Sequence, residues 1–338
     1  MIIKNIKLIN FRNHDHYQLD CQNTSLILGK NGSGKTSVLE AIYISTRGKS
    51  FRATDSEIIK NGTDFYRIEL EYENGEQIIV TYDGKNKQFQ VLNQKTRRLP
   101  KKNQYPIILF LPSDLNLISH SPSRRRDYFD RVFSGFDETY HQSLHKYEKS
   151  LKQRNELLKK DSLSPESVFS WNLMLAKYGT ELSKKRQEFV QEINHQLTTI
   201  YRSIATNQDD INILYQTEAH NLSAADYLKT LEKNFTKDRC LGHTSFGVHR
   251  DDYIFYFNHK IADGSASRGE TRSIILALKF IEAKLIYQKT GKKPLILLDD
   301  VFSELDFARR HCLIKNFQDH QVIITSVEDI SNTPDLLV

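Results

Sequence analysis

The chain has 338 residues, with 48 Lys and Arg against 42 Asp and Glu, so its formal net charge is +6. This length allows a sizeable core and about two domains, and the small positive excess permits a polyanionic partner. No apolar run approaches the ~18 residues of a membrane-spanning helix, and the N-terminus lacks the apolar core of a signal peptide. The three cysteines are far apart and match no metal-ligand spacing. We therefore expect a cytoplasmic protein with no membrane partner.

The first motif with a chemical meaning is a glycine-rich segment, GKNGSGKT, at 29–36. The apolar stretch SLIL directly precedes it and predicts a buried strand, while a helix is expected to begin near Lys35. Glycines let successive backbone N–H groups point at phosphate oxygens, and the helix N-terminus adds a positive dipole. In this arrangement Lys35 reaches the β and γ phosphates and Thr36 holds Mg²⁺. A turn that only joins a strand to a helix would not need these two side chains.

Residues 1 to about 115 are rich in strand signals. Segment 66–72 alternates apolar and polar residues, and Asn-Gly at 74 and Asp-Gly at 83 are typical of hairpin turns. These features predict an antiparallel sheet beside the phosphate-binding unit.

From about 120 to 235 the apolar spacing is helical. One apolar stripe runs from Tyr140 to Leu158 and a second from Leu175 to Ile200, with a polar break between them. Two such helices joined by a short turn predict an antiparallel pair. An ordinary helical subdomain explains the same spacing.

After about 240 the α/β pattern returns. SRGE at 267–270 precedes a long apolar-striped helix, and Ser-x-x-Glu predicts a capping box. LILLDD at 295–300 predicts a buried strand that ends in two carboxylates, which are costly to bury unless they hold a cation or transfer a proton. Asp299 is then placed to support Mg²⁺ opposite Thr36, and Asp300 to orient or deprotonate the attacking water. A strand that simply ends in solvent is the alternative.

In order, GKNGSGKT, SRGE, LILLDD and SELD resemble the Walker A, signature, Walker B and D-loop motifs of ABC-type ATPases. LPSDL at 111–115, SPSRRR at 121–126 and GVHRDD at 247–252 resemble more specifically the RecF family of the SMC-like branch. The matches run from residue 4 to about 326. The resemblance implies an α/β fold: an ABC-type P-loop ATPase head, with a mixed sheet, helices and an antiparallel β lobe, which carries a helical arm subdomain.

The resemblance also implies a division of the chain. Residues 1–120 would form the N-terminal part of the head, 121–240 the helical arm, and 241–338 the C-terminal part of the head. ATP binding would close a homodimer, in which the Walker A segment of one subunit faces the signature of the other. Arg12 and Asn13 would lie near the nucleotide base.

Carried over position by position, the motifs give sets of site residues. The ATP-binding set is Arg12, Asn13, Gly29, Lys30, Asn31, Gly32, Ser33, Gly34, Lys35, Thr36 and Ser37. The catalytic set is Lys35, Asp299 and Asp300, and the Mg²⁺ ligands are Thr36 and Asp299. The signature acting in trans is Ser267, Arg268, Gly269 and Glu270, and the D-loop is Ser303, Leu305 and Asp306.

Three features depart from the broader pattern. The signature has Arg268 and Glu270 where the broader ABC pattern often has Gly and Gln. Most ABC proteins have Glu at the position of Asp300, and a shorter carboxylate aligns water less well, so we expect slow hydrolysis. The usual switch histidine after the last buried strand is replaced by Thr325-Ser326.

Clustered cations give candidate DNA contacts. Five cations lie within eight residues, at Lys95, Arg97, Arg98, Lys101 and Lys102, and a second run comprises Arg124, Arg125 and Arg126. Such groups can bind phosphates in a sequence-independent, salt-sensitive way. A solvated charged face is the alternative.

The resemblance to the RecF family implies an ATP-dependent DNA-binding protein of recombinational repair, which would dimerise on DNA at gaps or junctions of single and double strands. Slow, DNA-stimulated hydrolysis of ATP would release it. The resemblance implies RecR and RecO as partners in loading RecA. One alternative is the nucleotide-binding subunit of an ABC transporter, although about 230 residues separate Walker A from the signature here. The other is a nucleotide-gated scaffold that does not hydrolyse ATP.

Overall fold

The computed structural model describes residues 2–160 and 162–327. These residues form two compact units. The first contains the chain up to Asp114 together with the part from Ala283 onward, and the second is Leu115–Glu282. The three-part division expected from the sequence, with boundaries at 120 and 240, remains a prediction.

The regular elements follow one another along the chain. In order they are β1 (Ile3–Phe11), β2 (His14–Asp20), β3 (Thr24–Leu28), α1 (Lys35–Arg47), α2 (Asp55–Ile58), β4 (Tyr66–Tyr72), β5 (Gln77–Tyr82), β6 (Lys87–Val91), β7 (Gln94–Thr96), β8 (Ile107–Phe110), α3 (Pro122–Phe136), α4 (Glu138–Leu158), α5 (Glu166–Ala205), β9 (Ile211–Gln216), α6 (Ala224–Lys233), α7 (Phe235–Leu241), β10 (Asp252–Phe257), β11 (Lys260–Ile261), α8 (Arg268–Thr290), β12 (Leu295–Asp299), α9 (Phe307–Phe317) and β13 (Val322–Ser326). Short 3-10 helices lie at Lys101–Asn103, Pro112–Asn116, Val248–Arg250 and Val301–Glu304.

The first unit contains an antiparallel sheet with strand order β2-β1-β4-β5-β6-β7. In β4 every second residue is buried, as expected of a strand with one face on the core. β4, β5 and β6 pair as successive hairpins, which confirms the turns predicted at residues 74 and 83. The buried residues of this sheet share one hydrophobic core with α1, as Ile6, Leu39 and Ile68 illustrate.

The same unit contains a parallel sheet with strand order β3-β13-β12-β8. All five residues of β12 and all five of β13 are buried, which is typical of parallel strands covered on both faces. Parallel strands place their carboxyl ends at one edge of the sheet. The glycine segment after β3 and the acidic end of β12 therefore meet there, although more than 260 residues separate Thr36 from Asp299.

The second unit contains the predicted helical pair. α4 and α5 run antiparallel, since Ser143 donates to Glu181 at 2.9 Å and the buried Arg154 donates to Asn172 at 2.7 Å. The prediction of helical structure from about 120 to 235 is wrong at β9. Its sequence, INILYQ, alternates buried and exposed residues and pairs with β10 in a three-stranded sheet, β11-β10-β9.

The free edge of β9 is covered by polar side chains of α5. Asn194 donates to the carbonyl oxygen of Ile213 at 2.8 Å and accepts from its N–H at 2.9 Å. Thr198 makes the equivalent pair of contacts with Ile211, at 2.8 and 3.1 Å. These side chains satisfy backbone groups that would otherwise be available to another strand.

Candidate nucleotide-binding site

The glycine segment forms a tight loop between β3 and α1. Gly34 caps the helix with φ 98°, and Gly32 has φ 80°. A Cβ atom on Gly34 would lie 2.3 Å from His14 Nε2 and 2.5 Å from Asn13 Oδ1. Both the positive φ and this close approach require glycine at position 34. The loop therefore leads directly into the N-terminus of α1, a helix end suited to a phosphate.

Lys35 is the buried cation of this loop, with 5% of its surface exposed. Its Nζ donates to the carbonyl oxygens of Gly29, at 2.8 Å, and Lys30, at 3.3 Å. It also lies 3.5 Å from Asp300 Oδ2. The ammonium group thus lies between the glycine loop and the acidic end of β12, where Coulomb attraction favours a polyphosphate.

Thr36 and Asp299 are in direct contact, as expected for the two motifs. Thr36 Oγ1 donates to Asp299 Oδ1 at 2.7 Å, and Thr325 Oγ1 lies 2.9 Å from the same oxygen. Burial raises the pKa of Asp299 and the charge of Asp300 adds to this, while the two threonine hydroxyls oppose it. Thr325 is one of the two residues that stand where the broader ABC pattern has its switch histidine.

Asp300 adopts the left-handed conformation, with φ 50°. Its N–H donates to Thr325 Oγ1 at 2.9 Å. Its Oδ1 is buried and has no hydrogen-bond partner within residues 2–160 and 162–327. A strained backbone and an unsatisfied carboxylate oxygen are both costly, and they are typical of functional sites. The side chains of Thr36, Asp299 and Asp300 offer only oxygen atoms, the donor type that Mg²⁺ prefers.

A buried carboxylate, Glu40, lies on α1 beneath the pocket and was not predicted. Arg12 binds it through two hydrogen bonds of 2.8 and 2.9 Å, and Arg52 through two of 2.9 and 3.1 Å. Ser50 Oγ donates to it at 2.6 Å. Burial raises the pKa of Glu40, but the hydrogen bonds from Arg12, Arg52 and Ser50 outweigh burial, so the net shift is downward.

These residues surround a cavity of about 690 Å³. It is lined by members of the predicted ATP-binding set, among them Arg12, Asn13 and Lys35, and by Asp300. Four polar residues of its wall were not predicted: Arg52, Glu57, Lys60 and Asn61. Arg52 follows shortly after Gly48, which ends α1, but its place in the wall depends on a partner brought close by folding. Asn13 donates to Gly32 O at 3.2 Å and so ties the end of β1 to the loop.

The SRGE segment lies in the second unit, at the start of α8. The N–H of Ser267 donates to Glu270 Oε2 at 2.6 Å, and the N–H of Glu270 donates to Ser267 Oγ at 3.3 Å, which confirms the capping box. Ser267 and Arg268 are exposed, while Gly269 is half-buried.

The D-loop segment of the first unit turns tightly after β12. Ser303 Oγ donates to Asp300 O at 2.7 Å, Leu305 is buried, and Asp306 caps α9 by accepting from the N–H of Arg309 at 2.9 Å. The role of these residues at an interface remains a prediction.

The two predicted cation runs differ in their surroundings. All five side chains of the first run are exposed, at Lys95, Arg97, Arg98, Lys101 and Lys102. In the second run Arg124 is exposed, but Arg125 pairs with Asp252 at 2.7 Å and Arg126 donates to the carbonyl oxygen of Asp251 at 2.7 Å. Arg125 and Arg126 therefore stabilise the second unit, whatever else they bind.

Among the described residues, no helix is long and apolar enough to cross a membrane. The parallel sheet, the glycine loop and the acidic strand end define a P-loop ATPase. In agreement, the family model described as "AAA ATPase domain" matches residues 1–300.

Comparison with individual relatives shows which family of P-loop ATPases the chain belongs to. The chain is 32% identical to the "DNA replication and repair protein RecF" of Clostridium perfringens, covering 98% of this chain and 95% of the relative. It is 34% identical to the protein of the same name from Clostridium beijerinckii, covering 98% and 94%. The chain belongs to the RecF family of SMC-like, ABC-type ATPases.

Solved structures agree with this assignment. A structure of "the recombination mediator protein RecF-ATP in RecFOR pathway" superposes with a TM-score of 0.85 at 29% identity, covering 97% of this chain and 92% of that chain. An SMC head bound to the C-terminal winged-helix domain of ScpA has a TM-score of 0.55 at 14% identity, covering 99% and 92%. The second likeness concerns the fold alone, and it confirms the predicted ATPase-head class.

Proposed function

We propose that this RecF-family ATPase is an ATP-dependent DNA-binding protein of recombinational repair, acting in the cytoplasm at gaps or junctions of single and double strands. The observation that carries the proposal is the contact between Thr36 and Asp299, at 2.7 Å. It joins the phosphate-binding loop to the acidic strand, as hydrolysis of a nucleotide requires. DNA is proposed as the substrate because the chain belongs to the RecF family, whose members are named DNA replication and repair proteins.

Magnesium is part of this proposal. The Thr36 hydroxyl and the Asp299 carboxylate would hold the ion, and the unsatisfied Oδ1 of Asp300 lies on the same side chain that contacts Lys35. When bound, Mg²⁺ neutralises charge on the β and γ phosphates. Lys35 contributes a further positive charge, and Asp300 orients the attacking water. Because Asp is shorter than Glu, hydrolysis is slow, and we propose that DNA accelerates it.

Dimerisation is the step that would couple ATP to DNA. Ser267 and Arg268 are exposed at the N-terminus of α8, a helix end suited to the γ phosphate of a partner subunit. ATP would then favour the closed one of two states, and its hydrolysis would reopen the dimer. RecR and RecO are proposed as partners in loading RecA, because solved RecF is described as part of the RecFOR pathway.

Size measurement with and without ATP and Mg²⁺ tests the composite site. The wild type should become dimeric with ATP. Lys35→Met should remain monomeric because it loses phosphate binding. Ser267→Arg should still bind ATP but should not dimerise, because a bulky cation blocks the partner's phosphate. A wild type that stays monomeric with ATP bound would refute the dimer.

The exposed cation run is the proposed contact to DNA phosphates. Replacing Lys95, Arg97, Arg98, Lys101 and Lys102 with Gln should flatten the dependence of DNA affinity on salt, by about 0.7 to 0.9 in log–log slope for each phosphate that is no longer neutralised. Anisotropy of labelled DNA over a salt series measures this slope. ATP affinity serves as the folding control, and an unchanged slope would remove the run from the DNA surface.

A further inference from the structure

β13 ends between the two motifs of the nucleotide site. Its neighbours in the sheet are β3, which leads into the glycine loop, and β12, which ends at Asp299. At the end of β13 the carbonyl oxygen of Ser326 accepts from the N–H of Gly29 at 3.3 Å. Thr325, the residue before it, is fully buried and is not among the residues that line the nucleotide cavity. Its effect on the reaction must therefore pass through the residues that it contacts.

Thr325 brings a hydroxyl group into a buried part of the sheet. The three residues before it in β13 are apolar, and valine would suit a buried β-branched position equally well. A buried hydroxyl is costly unless it is hydrogen-bonded. Here Oγ1 accepts from the N–H of Asp300 at 2.9 Å and donates to Asp299 Oδ1 at 2.9 Å. A single hydroxyl group thus contacts both of the consecutive aspartates.

The backbone of Asp300 is held by Thr325. With φ 50° it is in the left-handed conformation, which is unfavourable for a residue other than glycine. Its N–H donates to Thr325 Oγ1 at 2.9 Å and also to Thr325 O at 3.2 Å. The shorter of these two hydrogen bonds is the one to the hydroxyl, so the side chain of Thr325 supports the strained conformation.

The carboxylate of Asp300 has little support of its own in the part of the chain that the structure describes. Its Oδ1 has no hydrogen-bond partner within residues 2–160 and 162–327. Its Oδ2 lies 3.5 Å from Lys35 Nζ, which is long for a directional hydrogen bond. The direction in which this side chain leaves the chain is therefore set by its backbone. Asp299 differs, because its Oδ1 accepts from Thr36 as well as from Thr325.

We infer that Thr325 is a positioning residue for ATP hydrolysis. Its hydroxyl directs the carboxylate of Asp300 by holding the backbone of that residue, and it orients Asp299 by donating to Oδ1. The inference rests on the proposed function, in which Asp300 orients the attacking water and Asp299 holds Mg²⁺. It adds to that function a residue that acts through these two aspartates.

The first test is Thr325→Val, which removes the hydroxyl and keeps the shape of the side chain. The kcat for ATP should fall about tenfold, the lower end of the effect of removing a partner that holds a metal ligand. The KM for ATP at saturating Mg²⁺ should not change, because the phosphate-binding groups are intact. Phosphate release measures both constants. Thr325→Ser keeps a hydroxyl and should restore most of the lost kcat.

A second measurement does not depend on turnover. Binding of a fluorescent ATP analogue is titrated with Mg²⁺, and the concentration needed for half-maximal binding should rise about tenfold in Thr325→Val. Affinity for the analogue in EDTA should equal that of the wild type, which also reports folding. The matched control is Thr46→Val, a buried threonine of the same unit whose hydroxyl donates to the carbonyl oxygens of Ile42 and Tyr43. It should match the wild type in both measurements.

A double variant isolates the contact with Asp300. In Asp300→Asn at saturating Mg²⁺, Thr325→Val should have little further effect on turnover, because no carboxylate remains to be directed. As large a loss as in the wild-type background overturns this part of the inference.

Three results overturn the inference as a whole: a loss of kcat in Thr46→Val equal to that in Thr325→Val, a Thr325→Ser variant as slow as Thr325→Val, or a loss of affinity in EDTA as large as the loss of kcat. If the wild type does not hydrolyse ATP, or if its ATP binding is independent of Mg²⁺, the proposed function fails. If the wild type does both and Thr325→Val keeps its kcat and its Mg²⁺ requirement, only this inference fails.

Discussion

Glu40 is a single buried side chain on which two arginines of the nucleotide pocket depend. Arg12 and Arg52 each approach it with two hydrogen bonds, and its own surface is fully buried. A buried charge of this kind is tolerated because it is paired and hydrogen-bonded. Glu40 therefore fixes the positions of both guanidinium groups at the wall of the cavity.

Glu40→Gln should lower the free energy of unfolding by about 3 kcal/mol, the lower end of the cost of breaking a buried ion pair, because both arginines reach solvent. It should also weaken ATP binding by releasing Arg12 and Arg52. Urea unfolding and a nucleotide titration measure the two effects. The control is Glu73→Gln, which removes an exposed carboxylate of the same unit that does not line the cavity. Equal stability of Glu40→Gln and wild type would contradict the assignment.

The same residue predicts a pH dependence. The folded pKa of Glu40 lies below its ordinary value of 4.5, so its charge stabilises the fold above that pH. This contribution is lost as pH falls through the lower, folded value. The wild type should therefore lose its stability advantage over Glu40→Gln on acidification below about 4.5, in paired urea titrations over pH. An advantage that is constant over pH would show that packing, not charge, is the cause.

Only part of the nucleotide site could be predicted from the sequence. Lys35, Thr36 and the two aspartates could be predicted because fixed spacing between glycines, cation and hydroxyl has a direct chemical reason. Glu40 and Arg52 could not, because their meaning depends on a partner brought close by folding. Arg12, which is predicted to lie near the nucleotide base, is bound to Glu40. Its place in the cavity wall leaves the predicted contact open.

At the scale of elements, β9 shows how local patterns mislead. The sequence of β9, INILYQ, alternates apolar and polar residues. However, this short strand directly follows a 40-residue helix, α5, and the helical pattern of that region hides it. The hairpins of β4, β5 and β6 were predicted because their turns carry Asn-Gly and Asp-Gly signals. The protection of the β9 edge by α5 is a tertiary contact that no local pattern indicates.

Asn194→Leu should expose that edge. It removes two hydrogen bonds to Ile213 and leaves buried backbone groups without partners, at a cost of about 1–3 kcal/mol. The variant should also aggregate faster on heating, because an open edge pairs with other chains. Denaturation and light scattering measure the two outcomes. Gln191→Leu, an exposed position of the same helix, controls for added apolar surface. Identical behaviour of the two variants would remove the edge-protection role.

At the scale of the whole molecule, Walker A and Walker B are far apart in the sequence because the strands that precede them, β3 and β12, lie close together in one sheet but far apart along the chain. β3 and β12 flank β13, and Thr325 of β13 contacts Asp299 between them. Apart from β8, the segment between α1 and β12 contributes no strand to this sheet. It is an insertion between the strands of the sheet, and it includes the whole second unit. A nucleotide bound at the strand ends therefore contacts the first and last parts of the chain together.

Asp300→Asn tests whether the protein hydrolyses ATP or is a nucleotide-gated scaffold that does not. The amide keeps the size of the side chain but cannot accept a proton, so ATP turnover should fall about a hundredfold, the lower range for loss of a general base. ATP binding should persist, because Lys35 and Thr36 are intact, and the ATP-bound dimer should become long-lived. Phosphate release measures turnover, and size measurement after ATP dilution gives the lifetime of the dimer. Thr36→Ala, which removes the proposed Mg²⁺ ligand, should lose turnover without gaining a stable dimer. Turnover in Asp300→Asn equal to wild type would assign the chain to the scaffold class.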